Sequence, residues 1–147
     1  MSDPDLTITR ILDAPRELVF EMWTNPDHLA RWWGPAGFTA SSCTVDPREG
    51  GRWRTCITDG TLEHWASGVF QRIERPERLV MSFSWEEPEG TREHDTLVTV
   101  TLADRDGKTE MTFHQEFFRD VEERDSHVTG WDECFADLAA HLTEARS

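Results

Sequence analysis

The sequence predicts a single α+β domain: an antiparallel sheet of six to seven strands covered by one long C-terminal helix, with two short helices after the first strand. Three observations carry this prediction. Leu79, Met81, Phe83 and Trp85 alternate with Val80, Ser82 and Ser84, and Thr96, Val98, Val100 and Leu102 repeat the pattern, so one sheet face is apolar. Turn signals punctuate the middle of the chain at intervals that suit a meander. After Phe117-Phe118 the period changes, and His127, Trp131, Cys134, Phe135, Leu138 and Leu142 fall on one stripe of a helix running from Val121 to about Arg146.

The first element, Leu6 to Leu12, has the β-branched content of a strand, and Asp13-Ala14-Pro15 then resets the backbone with Pro at the first helical position. Leu18, Val19, Met22 and Trp23 recur behind it at helical spacing. Asn25 before Pro26 caps a second short helix, which carries His28 to Trp33 until Gly34-Pro35 stops it. From Phe38 to about Glu116 the strands are separated at Pro47 to Gly51, Asp59-Gly60, Arg75 to Glu77, the polar run Glu86 to Glu93, and Asp104 to Gly107. Each separator is a turn, so neighbours in sequence pair antiparallel. Gly130 interrupts the last helix, where it costs about 1 kcal/mol relative to Ala. Close packing is the favoured compensation, and space for a ligand beside Trp131 is the other.

A chain of 147 residues has the length of one domain, residues 1–147. Its formal charge of −14 repels phosphate backbones and anionic lipid heads, which argues against nucleic-acid and membrane partners. The acidic, polar start lacks the features of a secretory signal, and no apolar run reaches the ~18 residues of a membrane span, so a cytoplasmic location is expected. Cys43, Cys56 and Cys134 show no CxxC spacing and read as reduced core residues. One alternative is open: a tight hairpin centred on Glu49-Gly50 would set Cys43 opposite Cys56.

Sites of chemistry are few. No His-x-His, His-x-x-x-His or His-Glu-x-x-His spacing occurs, which gives no metal site, and no cofactor motif is present. Glu63-His64 and His94-Asp95 are adjacent acid and imidazole pairs, but neighbours in a strand face opposite ways, so both read as solvated charge. The tryptophans are more informative. Asn25 to Pro35 and His127 to Trp131 set bulky indoles beside helix-ending or helix-thinning residues, which suits the wall of an apolar cavity. Trp32 and Trp33 end their helix at Gly34-Pro35, which places at least one of them as a lid. Trp53 and Trp65 approach each other if both of their strand faces point inward.

Ile8-Thr9-Arg10 with Asp13-Ala14-Pro15, Pro26-Asp27-His28-Leu29 to Trp32-Trp33-Gly34-Pro35, Asp46 with Gly50-Gly51-Arg52-Trp53, Gly68-Val69, Pro76 to Val80, Thr109 to Gln115, and Glu122 to Asp125 with His127 and Gly130-Trp131 together resemble the START-like (SRPBCC) superfamily. Within it they are most similar to the branch named after the activator of the heat-shock-protein-ninety ATPase. The resemblance implies the helix-grip fold, a curved antiparallel sheet wrapped around the C-terminal helix with a cavity between them. Members bind lipids, hormones or aromatic polyketides there, and some catalyse cyclisation, dehydration or hydrolysis. The co-chaperone that names the branch adds a separate chaperone-binding domain, for which 147 residues leave no room.

Pattern and resemblance together predict that an apolar or aromatic small molecule is enclosed by Trp32, Trp33, Phe38, Trp53, Trp65, Phe83, Trp85, Trp131 and Phe135. Gln115 and His127 would supply one or two orienting hydrogen bonds. An enzyme using the same cavity, with His127 as its one weak catalytic candidate, is the first alternative. A protein-interaction module is the second, and a homodimer stays open.

Overall fold

The computed structural model describes residues 4–86 and 94–146. Strand β1 (Asp5–Leu12) leads into α1 (Arg16–Thr24) and α2 (Pro26–Trp32). Six strands follow: β2 (Thr39–Val45), β3 (Arg52–Thr58), β4 (Glu63–Glu74), β5 (Arg78–Trp85), β6 (Thr96–Arg105) and β7 (Lys108–Glu116). Helix α3 (Val121–Arg146) closes the chain. This is the predicted order and the helix-grip architecture. The polar run after β5 lies, from residue 87 to 93, outside the described residues.

The sheet order is β1-β7-β6-β5-β4-β3-β2, every pair antiparallel. The meander from β2 to β7 follows from its turns, and β1 docks beside β7 with Leu6 opposite Gln115 and Leu12 opposite Thr109. One buried hydrogen bond closes that seam, from Thr109 Oγ1 to the Ala14 carbonyl at 2.7 Å. Asn25 caps α2 as predicted, its side chain accepting from the Asp27 amide at 2.9 Å. Pro15 stands one position earlier than expected, at the N-cap of α1. The buried stripe of α3 is Trp131, Cys134, Phe135, Leu138 and Leu142, and it packs on the apolar sheet face. Among the described residues no helix is long and apolar enough to cross a membrane.

The hairpin of β2 and β3 closes the alternative that set Cys43 opposite Cys56, and the cysteines stand reduced as expected. Cys43 pairs with Thr55, and Ser42 with Cys56. All three cysteines are free thiols. The connection is no two-residue turn: Asp46 N donates to Arg52 O at 2.9 Å, Gly51 N to Arg48 O at 2.8 Å, and Gly50 N reaches sideways to Phe70 O at 2.8 Å. A further irregularity between Ala40 and Ser42 shifts the register again. Since partners across a ladder share a face, a one-residue slip puts Cys43 and Cys56 on opposite sides of the sheet.

Gly68 shows how side-chain size is distributed on β4. It lies opposite Trp53, whose indole N–H crosses the strand to donate to Ser82 O at 3.1 Å. A Cβ on Gly68 would sit 1.8 Å from that same oxygen and 2.7 Å from Trp53 Nε1. Backbone cannot yield as a flexible side chain can. Gly68→Ala should therefore destabilise the fold by about 3 kcal/mol or more, as an overpacking change at the upper end of its range; urea denaturation checks this, and a loss under about 1 kcal/mol would contradict it.

Candidate ligand cleft

Between the sheet and the N-terminal half of α3 the side chains do not close on one another, leaving a half-open cleft of about 410 Å³. Its walls are Trp33, Gly34, Pro35 and Phe38 from the α2–β2 connection, and Ile57, His64, Phe83, Trp85 and Glu86 from β3 to the end of β5. Ser126, His127, Gly130, Trp131 and Cys134 complete it from α3. The rings stand edge to face: Trp33 and Trp131 are 5.2 Å apart, Phe83 and Trp131 5.9 Å, and Phe83 and Trp85 5.4 Å. Such geometry favours the quadrupoles and holds each ring plane in place.

Of the residues singled out from sequence, Trp33, Phe38, Phe83, Trp85, His127 and Trp131 line this space. Others support it from behind. Trp53 packs against Trp33 and Phe83 at 5.7 and 5.4 Å, and Phe135 stacks on Trp131 at 5.6 Å. Trp32 is a core residue, its N–H donating to Met22 O at 3.0 Å and its ring 4.8 Å from Trp23. Neither Trp32 nor Trp33 is a lid, since both are buried and Trp33 forms an inner wall. Trp65 is on the other side of the sheet: it pairs with Cys56, while Ala66 pairs with Thr55, and the Arg54 guanidinium lies 3.9 Å above its ring.

The sequence missed Gly34, Pro35, Ile57, His64, Glu86, Ser126 and Cys134 as wall residues. Ile57 shares the inner face with Trp53, and that signal was present in the alternation. His64 is exposed, as expected, yet it stands at the mouth of the cleft near Phe38 and Trp85, with ring separations of 5.6 and 6.2 Å. Glu86 is held there by a two-pronged pair with Arg54, at 2.7 and 3.0 Å. Gly34 has φ of +127°, and a Cβ would meet Phe38 O at 2.9 Å, so glycine is required where α2 stops.

Gln115 is wholly buried and does not reach the cleft. Its carbonyl accepts from Trp131 Nε1 at 2.8 Å, and its amide donates to Thr96 Oγ1 at 2.7 Å. Thr96 in turn donates to Phe83 O at 3.0 Å. An indole N–H can only donate, which fixes the direction of every bond in this relay. Gln115 is thus a positioning residue for Trp131.

His127 is committed at both ring nitrogens. Trp85 Nε1 donates to His127 Nε2 at 3.1 Å, which leaves Nδ1 to donate to the Glu123 carbonyl at 2.9 Å. The ring is therefore neutral, and to act as a base it would have to release Trp85. Burial holds its pKa below the ordinary value of 6.5, against the opposing pull of the Glu123 carbonyl and carboxylate. Burial also raises the Cys134 thiol to about 12, so this floor residue stays protonated at neutral pH.

Gly130 reverses the packing expectation. A Cβ there would meet only Pro35 Cβ, at 4.0 Å, an ordinary contact. The glycine leaves room in the cleft, and no close approach requires it.

The depressed His127 pKa sets a pH dependence. Below about 6.5 the unfolded chain takes up a proton that the folded chain refuses until a lower pH. Stability is therefore complete above that value and declines as pH falls through the window down to the folded pKa. The urea midpoint should drop on acidification from pH 7, and His127→Gln, whose amide can still accept from Trp85, should show a smaller drop. An equal drop in the variant would contradict the assignment.

Comparison with known proteins comes to the same architecture. The model of the family described as "Activator of Hsp90 ATPase homolog 1-like protein" matches residues 13–143. The AHSA1 protein of Silicibacter pomeroyi is similar at 22% identity and a TM-score of 0.88, over 97% of this chain and 99% of that one. A protein of Arthrobacter aurescens is similar at 25% identity and 0.86, over 95% and 86%. One from Chromobacterium violaceum gives 24% and 0.85, over 94% and 96%. No curated protein matches the sequence.

Proposed function

The chain belongs to the Activator of Hsp90 ATPase homolog 1-like family, and from that starting point we propose that it binds a flat apolar or aromatic small molecule in the cleft between sheet and α3. The observation that carries this reading is the combination of an aromatic wall with an unfilled helix position. Trp33, Phe38, Phe83, Trp85 and Trp131 present ring faces and edges, and Gly130 withholds the side chain that would close the space between them. Burial of the ligand's carbon surface would supply affinity at roughly 25 cal/mol per Å². With His127 and Gln115 engaged inside the protein, orientation falls to the mouth, where His64, Ser126 and the Arg54-held Glu86 offer polar atoms. A polar edge on an otherwise apolar plane fits that distribution.

A reduced, cytoplasmic setting suits the three free thiols. The enzymatic alternative draws no support from His127, because its one acceptor nitrogen is occupied by Trp85.

Titration of intrinsic tryptophan fluorescence with hydroxylated flat aromatics, polyketides and fatty acids tests the reading. Flat aromatics should give saturable quenching. Gly130→Leu, which fills the cleft, should weaken it by at least about tenfold, or 1.4 kcal/mol, while Gly130→Ala keeps the fold and raises helix stability by up to about 1 kcal/mol. No saturable response from any class, or equal binding by the leucine variant, would sink the proposal.

A further inference from the structure

Trp33, Phe38, Phe83, Trp85 and Trp131 line the cleft between sheet and α3, and their rings stand at steep angles to one another. Trp33 and Trp131 are inclined by 79°, Phe83 and Trp85 by 87°, and Phe83 and Trp131 by 67°. An aromatic ring is negative over its faces and positive along its edge. Rings crossed in this way around one space present faces as well as edges to it, which is the arrangement that receives an organic cation.

The groups between the rings bring no positive charge of their own. Among the described residues no lysine or arginine lines the cleft. The His127 ring is neutral, its Nε2 accepting from Trp85 at 3.1 Å and its Nδ1 donating to the Glu123 carbonyl at 2.9 Å. The guanidinium groups that cover a ring do so elsewhere: Arg54 lies 3.9 Å above Trp65, on the opposite sheet face, and Arg75 lies 4.8 Å above Phe20. Glu86 contributes a carboxylate to the wall, but Arg54 already holds it at 2.7 and 3.0 Å, so discrimination falls to the rings rather than to an ion pair. Around the whole, a formal charge of −14 attracts cations and repels anions. A carboxylate entering this space would exchange its hydration for ring faces of its own sign, whereas an ammonium group exchanges it for attraction to several faces at once.

We propose that the cleft selects by charge as well as by shape: it takes a flat aromatic that carries an ammonium group and excludes the matching carboxylate. This inference rests on the small-molecule reading and narrows its ligand. The ring system of the ligand supplies contact area inside, and the ammonium group stays near the mouth, where Phe38 and Trp85 flank His64 at 5.6 and 6.2 Å. There the half-open cleft lets the cation keep part of its water, which limits the cost of desolvation.

Calorimetric titration at pH 8, above the imidazole range, with three probes of one shape is the test: naphthylmethyl-trimethylammonium, naphthylmethanol and naphthylacetate. The ammonium probe should saturate at one per chain and bind at least about fivefold tighter than the alcohol and tenfold tighter than the carboxylate. Its advantage over the alcohol should survive about 0.5 M NaCl, which screens the long-range field of the acidic surface within about 4 Å. Phe38→Leu keeps apolar bulk without a ring, and should cut that advantage by at least about threefold while the affinity for the alcohol changes by less than about twofold; its melting temperature reports folding separately. An alcohol that binds as tightly as the ammonium probe, a carboxylate that does so, an advantage lost at high salt, or one unchanged in folded Phe38→Leu would overturn the inference and leave the small-molecule reading standing. Binding of none of the three would overturn both.

Discussion

The bond from the Trp131 indole to the Gln115 carbonyl decides how α3 sits on the sheet, and the rest of the cleft is built on that seating. Trp131 lies on the buried stripe of the helix and Gln115 on the inner face of β7, so a single 2.8 Å contact fixes both the rotation and the depth of α3. The relay behind it, through Thr96 to the Phe83 carbonyl, ties the same contact across β6 to β5. A buried amide left without partners costs about 1 to 3 kcal/mol, so a sliding helix would lose more than one contact. Once Trp131 is placed, helical geometry puts His127 one turn earlier, against Trp85, and turns Gly130 toward Pro35.

Aromatic side chains fill the rest of the interior unevenly. Trp23 lies within 6.4 Å of Trp32, Trp33, Phe113, Trp131 and Phe135, measured between ring centres, and closes the end of the space nearest α1. Toward the other end the rings become fewer and the walls open. The division between packed core and open cleft runs through Trp33 and Trp131, each of which touches both regions. Their rings are fixed by neighbours on the packed side, which is why the open side does not collapse.

Much of this was legible in the chain itself, and the failures have physical causes. The alternation of β5 and β6 was plain because apolar side chains dominate the inner face, from Leu79, Met81 and Phe83 to Val98, Val100 and Leu102, while serines and threonines are frequent between them. In the first half of β4, before the buried Phe70, the sizes are inverted. Ala66 and Gly68 face inward, the Trp53 indole crossing over Gly68, while Trp65 faces outward beneath Arg54. A reader of size and hydrophobicity places Trp65 in the core for that reason. The Cys43–Cys56 pairing failed by one residue, since a loop that bonds sideways to Phe70 does not obey two-residue turn geometry. The roles of Gln115 and His127 were half visible: their burial followed from periodicity, but which partners they satisfy depends on rotamers. The hydrogen bond between the His28 and His141 rings, at 3.0 Å, was invisible, because 113 residues separate its members.

Gly130 has one more implication. It is a position on a helix where an added Cβ meets nothing nearer than Pro35 Cβ at 4.0 Å and points into the cleft. A protein whose recognition surface is set at such a point can change what it accepts by single substitutions, each nearly neutral for folding because helix propensity improves as the glycine is replaced. On the proposed reading selectivity and stability are then not opposed at this site, because volume added at Gly130 reshapes the cleft while the sheet, the relay and the grip of α3 stay the same.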